Sequence, residues 1–230
     1  MFNCTTEKYA DIYAPWLQKP HDLLDLVDYE PGLKLLDLCG GTGAVSLAAH
    51  CRGWEAGRQN PSDITLFDLN PRCKHKEITQ VKGRAEDLAI YFPRDTFDVV
   101  VCRQAMGYLN PSLVIPAVFR VLQPGGQFVF STFISPLEGL RDQPAPKPYS
   151  WKNYEYQGSR YFECHYAWRD HVVHLQWRLG VGWDVTHFRY HPAQDIRRLL
   201  CLAGFKVLLE EHGRGLRWIC TKPKHLEVAK

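Results

Sequence analysis

The residue types best suited to chemistry lie in the stretch LKLLDLCGGTGAVSLAA, residues 33–49. An apolar run there contains Asp37 near its end, and three glycines follow before a helical pattern begins, at Gly40, Gly41 and Gly43. Glycines let a ligand approach the backbone closely, and the free N–H groups at a helix N-terminus attract a negative group. The stretch therefore predicts a ligand-binding turn between a strand and a helix.

Asp37 helps to distinguish two classes of ligand for this turn. The glycine spacing alone could pass as a degenerate dinucleotide-binding fingerprint. A carboxylate at the end of the strand would repel a pyrophosphate, whereas it can accept a hydrogen bond from the ammonium group of an amino-acid ligand. Asp37 therefore favours an amino-acid ligand, although an acid at this position could also serve only as a helix cap.

Further motifs follow the glycine turn in a fixed order. They are LFDLNP at 66–71, GRAEDL at 83–88, FDVVVCRQAMGYL at 97–109 and VLQPGGQFVFSTF at 121–133. Together with DLCGGTG, they resemble the motifs of class I S-adenosylmethionine-dependent methyltransferases of the small-molecule type. The resemblance implies S-adenosylmethionine as cofactor and methyl transfer as activity.

The resemblance also implies roles for individual residues. Asp68 would bind the ribose hydroxyls, Ala85 (through its backbone) and Glu86 would hold the adenine, and the segment with Tyr9 and Tyr13 would cover the cofactor. Two simpler readings stay open: Asp68 as a turn residue, and the two tyrosines packing along one helix face. The full set of expected cofactor contacts is Tyr9, Tyr13, Asp37, Gly41, Gly43, Asp68, Leu69, Ala85, Glu86 and Cys102.

The acceptor is expected near the end of the predicted fourth strand. Arg103 and Gln104 leave that strand at its carboxyl end, where ligands of open α/β sheets bind. We place Tyr108 and Phe133 on the same substrate-binding side. Cys102 is more typical of a packing residue whose backbone faces the ligand than of a nucleophile.

Two features depart from the family pattern. Many relatives carry an acidic residue at the position of Arg84, so here the adenine amine would have to bond to Glu86 or to the backbone. Only 16 positions separate Asp68 from Arg84, which is shorter than usual. We expect the helix between these two motifs to be reduced to a turn.

The elements that position these residues follow an α/β pattern. Apolar runs bounded by Gly, Pro and Asp alternate with helical patterns between residues 33 and 133. A helix over 192–205 and strands over 206–212 and 216–223 complete the pattern. The sequence predicts a Rossmann-like, mostly parallel sheet with helices on both faces, in a single methyltransferase domain over residues 1–230.

A small antiparallel β insert is expected after the fifth strand, over about residues 135–190. The proline-rich segment 135–153 is interpreted as a surface connection. The runs SRYFECHYAW, HVVHLQWRL and GWDVTHFRYH then predict three antiparallel strands, because the joints between them are too short for crossover helices.

The insert is interpreted as a platform for a small, partly aromatic or amine-bearing acceptor. His165 and His187 are the candidate general bases, since a histidine can take a proton near neutral pH. Aromatic faces attract cations such as a sulfonium, but the same aromatics could form cross-strand pairs or a homodimer interface.

Composition narrows the partners and the location. Lys and Arg number 28 against 25 acidic residues, a net charge of +3, which is too low for a dedicated nucleic-acid binder. No apolar run reaches the ~20 residues of a membrane helix, and the polar start of the chain is unlike a signal peptide. We therefore expect a cytoplasmic protein with a small-molecule acceptor, nucleic acid being an unfavoured partner.

The eight cysteines are interpreted as free thiols. None form a CxxC pair, and several lie in or beside apolar runs where a thiol acts as a small hydrophobe. No metal site is expected.

Three hypotheses stay open at this point. The first is methyl transfer to a nitrogen or oxygen of a small molecule. The second is a methyltransferase acting on RNA or protein, which predicts a concentrated basic groove. The third is a protein without methyltransferase activity, either a NAD-binding Rossmann protein or a degenerate scaffold, and the intact glycines and Asp68 disfavour the scaffold.

Overall fold

The computed structural model describes residues 21–27, 32–55, 63–133, 147–156, 159–168, 171–178, 182–189, 191–212 and 215–224. Its strands, in chain order, are β1 (Lys34–Leu38), β2 (Asp63–Asp68), β3 (Thr79–Lys82), β4 (Phe97–Cys102), β5 (Leu122–Phe133), β6 (Lys147–Tyr156), β7 (Ser159–Trp168), β8 (His171–Arg178), β9 (Gly182–Arg189), β10 (Lys206–His212) and β11 (Gly215–Thr221). Its α-helices are α1 (His21–Leu24), α2 (Ala44–Glu55), α3 (Leu88–Tyr91), α4 (Pro111–Val121) and α5 (Ala193–Ala203). Strands β6 to β9 form one compact unit, and the other elements form a second.

The second unit is built on a seven-stranded sheet in the order β10-β11-β5-β4-β1-β2-β3. Strands β5, β4, β1, β2 and β3 run parallel, while β11 is antiparallel to both β5 and β10. The central strand β1 pairs with β2 on one side and β4 on the other, and Asp37 lies opposite Leu66 and Val101. This mostly parallel, Rossmann-like sheet confirms the predicted fold class.

Alternate residues of the central strands supply two apolar clusters, one on each face. Leu36 and Val100 pack with α4 and α5, whereas Leu35 and Val101 pack with α1 and α2. A sheet covered on both faces requires nearly continuous apolar strands, which is the pattern of β1, β2 and β4. Helices on both faces are therefore present, as predicted.

Helix α4 begins with a capping side chain and a proline. Asn110 caps it, because its side chain accepts a hydrogen bond from the Ser112 backbone N–H at 3.2 Å, and Pro111 occupies the first helical position. This cap places the chain between β4 and α4 beside the carboxyl end of the sheet.

The connection between β2 and β3 is short, as predicted. Residues 69–78, all of them described, contain neither a helix nor a strand. The chain returns directly to β3, and Gly83 at the end of β3 donates its N–H to the Asp68 carbonyl at 2.9 Å. A loop therefore stands where a helix usually joins two parallel strands.

The unit over β6 to β9 differs from its prediction by one strand. It is a four-stranded antiparallel sheet in the order β6-β7-β8-β9, whereas three strands were expected. The segment 135–153 was wrongly interpreted throughout as a connection, since Lys147–Tyr156 forms β6. Its Pro148 lies at a register shift in the pairing with β7, where a strand tolerates proline, so the prolines did not exclude pairing.

Strand β5 begins earlier than predicted. Pro124, Gly125 and Gly126 were expected to end α4, but the helix already ends at Val121, because Leu122 adopts an extended backbone. The three turn residues therefore lie within β5, where the pairing with β4 has a register shift. In the part of the chain that the structure describes, no helix combines the length and apolarity needed to cross a membrane.

Candidate functional site

The candidate site lies at the carboxyl ends of adjacent parallel strands. Asp37 is the fourth residue of β1, Asp68 is the last residue of β2 and Cys102 is the last residue of β4. Because β1 lies between β2 and β4, these three positions are brought together at one edge of the sheet. Ligands of open α/β sheets bind at this edge.

Asp37 is a buried carboxylate with one oxygen bonded and the other unused. The residue is only 1% exposed to solvent. Oδ2 accepts hydrogen bonds from the Ser46 N–H at 3.0 Å and the Ser46 hydroxyl at 2.7 Å. Oδ1 is buried and has no hydrogen-bond partner among the described residues.

The burial of Asp37 changes its acidity. Loss of solvation raises the pKa of this carboxyl from 3.8 to about 6, although the two bonds from Ser46 oppose the shift. The negative charge of Asp68 raises the pKa further, and the positive charge of Arg103 lowers it. A cation placed at Oδ1 would therefore stabilise the ionised form of Asp37, because this oxygen has no other hydrogen-bond donor among the described residues.

The glycine turn after β1 needs glycine for three different reasons. Gly41 has φ +52°, and a Cβ built there would meet no described atom within 4 Å, so the turn leaves open space at this point. A Cβ at Gly40 would lie 2.5 Å from Asp37 Oδ2. A Cβ at Gly43, where φ is +78°, would lie 2.7 Å from the Cys73 sulfur.

Asp68 holds the glycine turn and also its own loop. Its Oδ2 accepts the Gly41 N–H at 3.0 Å, and its Oδ1 accepts the Asn70 N–H at 2.8 Å. The bond to Asn70 confirms that Asp68 is a turn residue, and the bond to Gly41 joins it to the candidate site. Leu69, predicted as a cofactor contact, is 43% exposed beside it.

The turn after β3 presents Ala85 and Glu86. Ala85 is buried and begins a single turn of 3₁₀ helix, Ala85–Asp87. Glu86 Oε1 accepts the Asn110 N–H at 3.2 Å, and Oε2 lies 3.7 Å from the Arg84 guanidinium. Glu86 thus links the turn after β3 to the cap of α4. Its second oxygen already faces Arg84.

Two thiols meet at the end of β1 and β4. The hydrogen bond between the side chains of Cys39 and Cys102, together with burial, holds the pKa of Cys39 well above its ordinary value. Cys39 has φ +61° and donates its N–H to the Phe67 carbonyl at 2.7 Å. A thiol that resists ionisation is a poor nucleophile, so Cys39 is suited to packing rather than to covalent catalysis.

The predicted substrate-binding residues lie after the end of β4 and at the end of β5. Gln104 is exposed, has φ +54°, and donates its N–H to the Ser131 hydroxyl at 3.0 Å. Arg103, just before it, is half-buried and close enough to Asp37 to lower its pKa. Tyr108 is half-buried in the 3₁₀ turn Met106–Tyr108, and Phe133 is the last residue of β5.

The candidate bases lie on β7 and β9 of the four-stranded sheet, with β8 between them. His165 lies opposite His174 of β8, and His187 lies opposite Val173, the neighbouring position on β8. The two histidines therefore pair with neighbouring positions along β8 and not with the same one. Tyr9 and Tyr13 lie outside the described residues.

Three residues of the site were not predicted from the sequence. Ser46 holds Asp37, Ser131 holds the backbone of Gln104, and Cys39 contacts Cys102. A signal existed for Cys39 and Ser46, which both lie within the stretch 33–49 that carries Asp37. Ser131 lies 27 residues from Gln104, and nothing in the sequence indicates that pairing.

Comparison with known proteins gives a consistent result. Residues 10–210 match a family model described as a methyltransferase domain. The ubiquinone biosynthesis O-methyltransferase of Pseudomonas syringae pv. tomato is 34% identical over 109 residues, which is 44% of this chain and 44% of that protein. The chain thus spans less than half the length of the curated relatives it matches.

Solved structures resemble the whole chain at low identity. The amino pentose methyltransferase CalS10 from Micromonospora echinaspora, solved with S-adenosylmethionine bound, has a TM-score of 0.66 at 18% identity, covering 96% of this chain and 99% of that one. The sugar N-methyltransferase KedS8 from Streptoalloteichus sp. has a TM-score of 0.61 at 19% identity, covering 94% and 89%. At these identities the likeness concerns the fold.

Proposed function

The chain belongs to the class I S-adenosylmethionine-dependent methyltransferase family, and from this premise we propose that it transfers a methyl group from S-adenosylmethionine to a nitrogen or oxygen of a small molecule. The observation that carries the proposal is the unused oxygen of buried Asp37 beside the open space at Gly41. The pair combines an acceptor for an ammonium group with room for a ligand against the backbone.

The residues at the sheet edge fit this cofactor. Asp37 Oδ1 would accept a hydrogen bond from the ammonium of the amino-acid part, which supplies the positive charge that the buried carboxyl lacks. Asp68 would accept bonds from the ribose hydroxyls, either with its remaining lone pairs or in place of the Gly41 N–H. Ala85 and Glu86 would border the adenine.

A pyrophosphate fits this edge poorly, which disfavours the NAD-binding alternative. The carboxyl groups of Asp37 and Asp68 lie close enough for each charge to affect the other. A doubly charged anion placed on the glycine turn would add to that repulsion, with Arg103 as the nearby cation. The same two acids suit a ligand with an ammonium at one end and hydroxyl groups in the middle.

The chemistry requires positioning more than covalent catalysis. Bound S-adenosylmethionine supplies an electrophilic methyl group that already carries its leaving group. The chain then has to bind the acceptor, align its lone pair with the methyl group and exclude water, and such alignment can supply about 7–11 kcal/mol of the barrier. A base is needed only for an acceptor that arrives protonated.

A small acceptor is favoured over RNA or protein. The net charge of +3 offers little for tracking a phosphate backbone. The named relatives point to small molecules: KedS8 is a sugar N-methyltransferase, and the Pseudomonas protein is named for ubiquinone biosynthesis. We extend this substrate class to the present chain as a proposal.

We further propose that residues 135–190 act as the acceptor platform within a single methyltransferase domain. Tyr, Trp and His are frequent in this segment, and aromatic residues with a few polar tips commonly line small-ligand pockets. Arg103, Gln104, Tyr108 and Phe133 would hold the acceptor from the strand ends. A homodimer interface on the insert is compatible with this role.

Calorimetry and a methyl-transfer screen test the proposal together. Titration with S-adenosylhomocysteine is expected to show one site per chain. Tritiated S-adenosylmethionine would then be incubated with amino sugars, other amines, phenols, bulk RNA and a protein extract. Label transferred to an amine or phenol supports the proposal. Transfer confined to RNA or protein would refute the proposal of a small-molecule acceptor. Binding of NADH by a protein that does not bind S-adenosylhomocysteine would refute S-adenosylmethionine as the cofactor.

A further inference from the structure

Three side chains of types that bind metals form a cluster outside the residues assigned to methyl transfer. His50 is on the second half of α2, and His75 and Glu77 are on the loop between β2 and β3. Each residue offers one ligand atom, and these three atoms all lie within 4.8 Å of one another. None of the three belongs to the residues that we assign to the cofactor or the acceptor.

The distances within the cluster are close to those of a metal site. His50 Nε2 and Glu77 Oε2 are 3.2 Å apart, and the rings of His50 and His75 have centroids 4.6 Å apart. Ligand atoms around a tetrahedral zinc ion, with bonds of 2.0–2.1 Å, are separated by about 3.3 Å. The three ligand atoms, all within 4.8 Å of one another, would have to close by at most about 1.5 Å around an ion.

Burial indicates that an ion pair alone does not account for the cluster. The His50 side chain is 7% exposed, and its contact with Glu77 would explain these two residues. His75 is left over, because its Nδ1 is buried and has no hydrogen-bond partner in the described part of the chain. A buried imidazole nitrogen without a partner is costly, and a metal ion bound by the ring would compensate that cost.

We propose that His50, His75 and Glu77 bind one divalent transition-metal ion, of which zinc fits best. Two imidazoles and one carboxylate form a ligand set that zinc commonly uses. Calcium and magnesium prefer sites built of oxygen ligands and are disfavoured by the two histidines. Glu77 is 47% exposed, so the ion can enter from its side and take water as a fourth ligand.

The position of the cluster assigns the metal a structural role. The loop over residues 69–78 replaces the usual helix, so it lacks the internal hydrogen bonds that a helix would provide. It nevertheless contacts the glycine turn, because the Arg72 N–H bonds to the Gly41 carbonyl at 2.8 Å and Cys73 packs against Gly43. A metal ion that joins His75 and Glu77 to α2 would brace this loop against the helix that follows the glycine turn.

The test uses the full chain and zinc itself, without any need for methyl transfer. Protein freed of metal with EDTA would be titrated with ZnCl₂ by calorimetry, and with CoCl₂ by visible absorption. The variants are Glu77→Gln, which changes an exposed side chain, and His75→Ala. Lys76→Gln is the matched control, since Lys76 is exposed between the two ligands and is not one itself.

We expect wild type and Lys76→Gln to bind one zinc ion each with similar affinity. Loss of even a partner behind the ligands costs about 10- to 100-fold in metal affinity, so Glu77→Gln and His75→Ala should each lose at least about tenfold. The cobalt absorption band should weaken in parallel. Circular dichroism would verify that both variants are folded.

Two results would overturn the proposal. One is a wild-type protein that takes up no zinc or cobalt. The other is unchanged affinity in both ligand variants, which would mean that any bound metal is held by other histidines of the chain. Loss of affinity in Lys76→Gln equal to that in Glu77→Gln would equally contradict it, because the loss would then reflect a general disturbance of the loop.

Discussion

Gly41 donates its backbone N–H to the Asp68 carboxylate at 3.0 Å, which joins the glycine turn after β1 to the acidic end of β2. The bond connects the motif DLCGGTG to the motif LFDLNP. A change at either residue should alter the geometry of the other, and the first two predictions concern this pair.

Replacing Gly41 by Val should abolish cofactor binding in a protein that still folds. Gly41 has φ +52° with open space around it, so the new side chain would occupy the position that we propose for the ligand. The backbone strain should cost about 1–2 kcal/mol of stability. Calorimetry with S-adenosylhomocysteine measures the loss.

Gly32→Val is the matched control for this change. Gly32 has φ +78° and likewise no described atom within 4 Å of a built Cβ, so it carries a similar strain. It precedes β1, at the opposite end from the glycine turn. The control should lose stability but keep its affinity, and intact affinity in folded Gly41→Val would show that the ligand does not bind there.

Replacing Asp68 by Ala should weaken cofactor binding by roughly 10- to 150-fold, the equivalent of the about 1.5–3 kcal/mol of a hydrogen bond to a charged group. Asp63→Ala, at the exposed beginning of the same strand, is the control and should bind as wild type. If both variants bind equally well, Asp68 has only its turn role.

The ligand-free protein should become less stable as the pH rises through the titration of Asp37, which is the opposite of the usual effect of a carboxylate. Burial raises its pKa from 3.8 to about 6, so between these values the folded protein binds the proton more tightly than the unfolded chain. The free energy of unfolding therefore falls as pH rises through this window, by up to about 3 kcal/mol, and stays low above it.

Asp37→Asn removes this titration and tests the sign. The variant should resemble wild type near pH 4 and be the more stable protein at pH 7.5, while its cofactor affinity drops. Urea unfolding at both pH values measures the difference, with Asp63→Asn as control. A variant that is less stable than wild type at pH 7.5 would contradict the role of burial.

Cofactor binding should release a proton near pH 6. At that pH about half of the Asp37 carboxyls are protonated in the ligand-free protein. An ammonium group bound at Oδ1 favours the ionised form, so about half a proton should leave per ligand bound. Calorimetry in buffers of different ionisation enthalpy counts these protons, and Asp37→Asn should release fewer.

At most one of His165 and His187 should act as base for a given acceptor, because β8 separates their strands and they pair with two different positions on it. His165→Gln and His187→Gln are therefore each other's controls. One variant should lose kcat and the dependence of kcat on pH near neutrality, and the other should keep both. Equal losses in the two variants would indicate a structural role for the histidines.

The fold could be predicted because its signals are local. Runs such as LLDL and VVVC are apolar on both faces, and only a covered parallel strand needs that pattern. The extra strand β6 escaped prediction since Pro144, Pro146 and Pro148 suggested a connection, while the pairing of Trp151 with Cys164 depends on a distant partner.

The site was predictable wherever one motif carried both the backbone and the side chain. Asp37, Gly41 and Asp68 lie at the sheet edge as their motifs implied. The positions that His165 and His187 pair with on β8 depend on strand register, which the sequence does not specify. His50 was not associated with His75 and Glu77, because a strand and its loops separate them along the chain.

The thiols of Cys39 and Cys102 bear on how the protein can be labelled in the laboratory. Since Cys39 resists ionisation beneath the glycine turn and Cys102 is buried, maleimide dyes should spare both at neutral pH. Cys51 on α2 and Cys201 on α5 are both exposed, so a variant with Cys51 replaced by serine would leave Cys201 as an attachment point outside the strand ends. A fluorophore placed there would report on the molecule without blocking the edge where we propose that ligands bind.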